Sequence, residues 1–74
     1  MAIDAYTYTN LDSILNGEGD WFSAKLLRFL NDVLPHADRE NLLHLMVAFP
    51  EEVELLTLEY YGWTKDQLNQ RIGV

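Results

Sequence analysis

The chain has 74 residues with twelve acids, five bases, a net charge of −7 and no cysteine. It therefore reads as one small domain (residues 1–74) held by its apolar core, since neither a disulfide nor a thiolate zinc site can staple it. A chain this short buries only roughly 60% of the surface it exposes when unfolded, so burial against a partner would help it. So acidic a composition argues against nucleic acid as a direct ligand, because phosphates call for clustered Lys and Arg. A protein partner is expected instead.

The first residues, Met1-Ala2-Ile3-Asp4-Ala5, lack the basic and apolar regions of an export signal. The uncharged run at 41–50 is about half the length that a bilayer span needs. Both observations predict a cytoplasmic protein with no membrane contact. Residues 3–9 mix Ile, Tyr and Thr, a pattern that suits an extended backbone with Tyr6 and Tyr8 on one side. Residues 1–9 are accordingly predicted as an extended arm that lays its tyrosines on the rest of the molecule.

From Asn10 onward the punctuation is helical, and the fold class is all-α: a compact bundle of four to five short helices behind that arm. Thr9 or Asn10 caps a short helix through Leu11, Ile14 and Leu15, which Gly17 ends. Asp20 is predicted to cap the second helix, with Phe22, Leu26, Phe29, Leu30 and Val33 as its core stripe. Lys25, Arg28 and Asp32 fall on its opposite face, Arg28 pairing with Asp32. Pro35 breaks the helix and Asp38 restarts it. The third helix places Leu42, Leu45, Met46 and Phe49 on one stripe, with Leu43 and Val47 at its edge.

Pro50 opens a fourth helix, with Glu51 and Glu52 near the positive end of its dipole. Val53, Leu56 and Tyr60 form its predicted core stripe. Leu55 and Leu58 fall well off that stripe, which leaves them under another helix or facing a partner. The last helix begins at a capping box, Thr64-Lys65-Asp66-Gln67, flanked by Trp63 and Leu68 as a hydrophobic staple. Ile72 closes the core.

The residues offer little for catalysis. No cysteine exists, and neither Ser13 nor Ser23 sits in a Gly-x-Ser-x-Gly turn. His36, Asp38, Glu40 and His44 have no zinc spacing, and they read more simply as a helix cap, a Glu40–His44 pair and a loop histidine. The acidic turn at 12–20 fails as a calcium loop because Ile14 and Ser23 stand at ligand positions. No enzyme activity, cofactor or metal is expected. The aromatics Trp21, Trp63, Tyr6, Tyr8, Tyr60 and Tyr61 exceed what so small a core encloses, and aromatics anchor interfaces.

The segments Gly19-Asp20-Trp21-Phe22-Ser23-Ala24-Lys25-Leu26-Leu27-Arg28-Phe29-Leu30, Ala37-Asp38-Arg39-Glu40-Asn41 and Phe49-Pro50-Glu51-Glu52-Val53 resemble a loose group of small helical proteins of bacteriophages and integrative mobile elements. The resemblance covers residues 17–54. It implies a helical fold and brings no catalytic motif. By analogy, small acidic proteins of such origin bind a host protein, and inhibitors of host defence such as anti-CRISPR proteins form one class.

The predicted function is thus a non-catalytic binding protein that occupies a host protein through Leu55, Leu58, Tyr61, Glu51, Glu54, Tyr6 and Tyr8. One alternative is an acidic decoy that copies DNA phosphates through Glu51, Glu52, Glu54 and Glu59 and fills a basic groove. Another is a structural homodimer that buries Leu55 and Leu58.

Overall fold

The computed structural model describes residues 3–73, and every regular element among them is helical. The order is α1 (Ala5–Thr9), α2 (Leu11–Leu15), α3 (Phe22–Val33), a 3-10 turn (Leu34–His36), α4 (Arg39–Ala48), α5 (Pro50–Glu54), a π-helical continuation (Leu55–Tyr60) and α6 (Lys65–Ile72). The first two residues of the predicted arm lie outside the described residues. Asp4 is extended, but Ala5–Thr9 form helix α1 instead of continuing the arm. Asp4 caps α1, its carboxylate accepting the Thr7 amide at 2.7 Å. An isolated strand has no ladder to satisfy its amides, whereas a capped turn satisfies them locally. Helical winding also separates the two tyrosines, because residues two apart on a helix point to nearly opposite sides.

Where α2 meets α3, Arg28 does not pair with Asp32 as predicted but turns to the backbone of the preceding turn. Its guanidinium donates to the carbonyls of Ile14 and Glu18, both at 2.9 Å, and of Gly19 at 2.6 Å. These oxygens belong to the end of α2 and the turn after it, so one side chain satisfies the acceptors that a helix end leaves open. The N-cap of α3 is Trp21, not Asp20, and it caps with backbone only. The Trp21 ring folds back over Gly19. A Cβ at that glycine, which has φ +86°, would stand 2.1 Å from the ring. Gly19→Ala therefore combines a left-handed backbone, about 1–2 kcal/mol for an L-residue, with displacement of the indole. A drop of about 2 kcal/mol in unfolding free energy is expected by denaturant titration.

The core is built from Leu11, Leu27, Leu30, Leu34, Leu42, Val53, Leu55, Leu56, Leu68 and Ile72. Helix α3 thus buries Ala24, Leu27 and Leu30, a stripe rotated by about a third of a turn from the predicted one. Of the predicted stripe only Leu30 is fully buried, while Phe22 and Phe29 remain 71% and 55% exposed. In α4 only Leu42 is buried and Val47 is exposed.

The fourth helix carries the other departure. After Glu54 the winding widens to π, with the Tyr61 amide bonding back to the Leu56 carbonyl at 2.8 Å. The Thr57 hydroxyl donates to the Val53 carbonyl at 2.8 Å, a side-chain bond of the kind that bends and loosens helices. Wider winding lets consecutive residues Leu55, Leu56 and Thr57 all turn inward. This resolves the two-sided wheel: Leu55 is core, and Tyr60, predicted as core, is exposed.

The C-terminal helix follows its sequence signature. The Gln67 amide donates to the Thr64 hydroxyl oxygen at 3.1 Å, and the Thr64 amide donates to the Gln67 side chain at 2.9 Å. At the far end Arg39 donates to the Ile72 carbonyl at 2.8 Å, which ties α4 to α6. Among the described residues no helix is long and apolar enough to cross a membrane.

Candidate functional site: a tyrosine and carboxylate face

Tyr8 of helix α1 reaches the π-helical segment, and two adjoining grooves lie where they meet. The first, of about 470 Å³, is lined by Tyr8, Thr9, Leu11, Asp12, Leu55, Glu59 and Tyr60. The second, of about 240 Å³, is lined by Ile3, Tyr8, Glu51, Glu54, Leu55, Leu58 and Glu59. Tyr8, Leu55 and Glu59 belong to both. The Tyr8 hydroxyl donates to Glu59 across 51 positions of sequence, at 3.1 Å, so the pair joins the N-terminal helix to the fourth.

The structure therefore gathers Tyr8, Glu51, Glu54, Leu55 and Leu58 of the predicted partner surface into one place. Leu55 forms only its floor, at 6% exposure, and offers no side chain for a partner to grip. Leu58 is half-buried and packs on the core. Tyr6 and Tyr61 lie elsewhere. Tyr6 donates to Glu18 at 3.0 Å and meets the Trp21 ring edge-on. Tyr61 donates to the Asn31 side chain at 2.7 Å and packs beside Trp63, whose ring also carries the Arg71 guanidinium at 4.0 Å. Tyr61 is thus a bridge between the fourth helix and α3.

Asp12 and Tyr60 went unnoticed as members of the site. The sequence places Asp12 only in an acidic turn and Tyr60 in the core stripe, whereas the π winding leaves Tyr60 exposed. Of the other acids, Glu52 is buried, at 5% exposure, and does not line either groove.

The electrostatics follow from phenols held against carboxylates. Tyr8 and Tyr60 both have pKa values above the ordinary tyrosine value, Tyr8 through its hydrogen bond to Glu59 and Tyr60 through the neighbouring Asp12 carboxylate. Tyr6 is raised in the same way by Glu18. The neutral phenol donates, and ionising it would place two negative charges together. A raised folded-state pKa means that the stabilising contribution is intact below about 10 and is lost as pH climbs through the folded value. An ultraviolet titration should show tyrosinate forming later than in free tyrosine. Glu59→Gln should bring the Tyr8 midpoint down towards the ordinary value, and an unmoved midpoint would exclude the pairing.

Among the described residues, no group of three or more His, Cys, Asp or Glu side chains could hold a metal ion. The face presents exposed tyrosine rings, carboxylate oxygens and a shallow apolar floor. No family model, curated protein or solved structure matches the chain.

Proposed function

We propose that this chain is a non-catalytic binding protein whose Tyr8-centred face occupies a basic surface on a protein partner. The observation that carries the reading is the convergence of Tyr8, Tyr60, Asp12, Glu51, Glu54 and Glu59 around two joined grooves. Such a face suits Arg and Lys, which take carboxylates as ion-pair partners and tyrosine rings as cation–π partners. Tyrosine is also a preferred anchor at interfaces. The excess of acid over base across the whole chain would steer a positive partner towards it. The resemblance to small phage and mobile-element proteins extends the proposal to a host protein in the cytoplasm, with inhibition of a defence system as one form of the activity.

The test is capture from bacterial lysate on the immobilised protein, beside Tyr8→Ala and Glu54→Lys variants. A basic protein should be retained by the parent, lost from both variants and released as salt rises to ~0.5 M, where the Debye length falls to a few ångströms. Retention by both variants, or retention indifferent to salt, would overturn the reading. Release of the captured protein by duplex DNA would identify the acidic face as a decoy for phosphates.

A further inference from the structure

An exposed apolar row along α3 shares no residue with the Tyr8 grooves. Phe22, Leu26, Phe29 and Val33 recur along α3 at spacings of four, three and four, the heptad spacing of helices that pair along a seam. Phe22 and Phe29 are the outermost of these, 71% and 55% exposed, while Leu26 and Val33 are half-buried at their side. Flanking the row towards solvent are Lys25 and Asp32. Neither makes a hydrogen bond or ion pair within the protomer among the described residues. Beyond Phe29 the row runs into a groove of about 570 Å³ between α3 and α4, lined in part by Phe29, Val33, Ala37, His44 and Leu45.

We infer that a second copy of this chain docks antiparallel on the α3 face, each protomer seating its Phe22 ring in the α3–α4 groove of the other. The arrangement of charge selects this occupant and this orientation. In a heptad seam with Phe22 and Phe29 at the d positions and Leu26 and Val33 at the a positions, Lys25 and Asp32 both fall at g. Antiparallel pairing brings g against g, so Lys25 of each copy meets Asp32 of the other, twice by symmetry. A parallel pair would set g against e, which here is Ser23 and Leu30, and would leave both charges unanswered.

The lengths agree. At 1.5 Å per residue, Phe22 and Val33 lie about 8 Å on either side of the midpoint of the paired stretch, so each Phe22 stands opposite the other copy's groove. The same axis places Leu26 against Phe29. This surface is separate from the Tyr8 face, so pairing would present two such faces on one particle.

The tests use the whole chain. Sedimentation across micromolar to millimolar concentration should show a monomer–dimer equilibrium that Phe29→Asp weakens by about a hundredfold, as expected for a central aromatic anchor. Lys25→Glu should weaken pairing, and Lys25→Glu combined with Asp32→Lys should restore it. Because the chain has no cysteine, oxidising a mixture of Lys25→Cys and Asp32→Cys proteins should give the mixed disulfide faster than either self-disulfide. A monomer throughout the concentration range overturns the inference. So does a dimer in which the charge swap fails to rescue, or in which the 25–25 disulfide forms fastest. Salt separates this contact from the Tyr8 face: pairing should persist at ~0.5 M salt, where the acidic face would have released a basic partner.

Discussion

Arg28→Ala is expected to lower the unfolding free energy by about 3 kcal/mol, roughly a third to a half of what a domain of this size has at its disposal. The guanidinium accepts nothing and donates to three backbone carbonyls, those of Ile14, Glu18 and Gly19. Hydrogen bonds from a charged donor contribute about 1.5–3 kcal/mol each where buried, less where water can substitute. Two of the three are partly buried and one is exposed, so water replaces part of each bond and the expected total falls below the sum for three buried ones. Arg28→Lys should recover only part of the loss, because an ammonium is a point donor and cannot span three oxygens with a planar fork. Urea titration of both variants checks this. Amide exchange should further show the turn between α2 and α3 opening in each. A lysine variant as stable as the parent would mean that charge alone, and not the fork, holds the turn.

Leu55→Asp is expected to leave the chain unfolded at room temperature. The residue is 6% exposed and belongs to the main core cluster. Its replacement forfeits about 2–3 kcal/mol of burial and adds the cost of holding a carboxylate in an apolar floor. The surrounding acids, Glu51, Glu54 and Glu59, line the same groove and would repel it further. Together these effects reach about 5 kcal/mol or more, enough to exhaust the stability of a small domain. Leu55→Met, which conserves volume and polarity, should cost less than about 1.5 kcal/mol. Circular dichroism and thermal melting distinguish the two outcomes. A folded Leu55→Asp protein would show that this leucine faces solvent after all.

These two variants mark where sequence reasoning succeeded and where it stopped. Helix boundaries were legible wherever a cap is a local chemical fact. Thr64 and Gln67 satisfy each other's amides, Asp38 accepts from the Asn41 amide at 2.9 Å, and Pro50 occupies the first helical position. Asp4, three residues before Thr7, was a signal of the same kind, and the strand-like run of Tyr and Thr masked it. Strand preference expresses packing on neighbouring strands, and this chain supplies none among its described residues.

Facing was a different matter. Helix α3 carries two apolar stripes, one through Phe22, Leu26, Phe29 and Val33 and another through Ala24, Leu27 and Leu30, and periodicity identifies a helix without ranking two such stripes. The packing of α2 and α5 against α3 made the choice. The face of the fourth helix was equally undetermined, because the π winding that buries Leu55, Leu56 and Thr57 together breaks the 3.6-residue period on which a helical wheel depends. The all-helical class and the helix starts at Asp38, Pro50 and Thr64 follow from the order of residues alone, since each rests on groups within a few positions of one another. Which apolar face is hidden, where Arg28 reaches, and how Tyr8 meets Glu59 were decided by the tertiary structure, since those contacts join segments that the chain holds far apart.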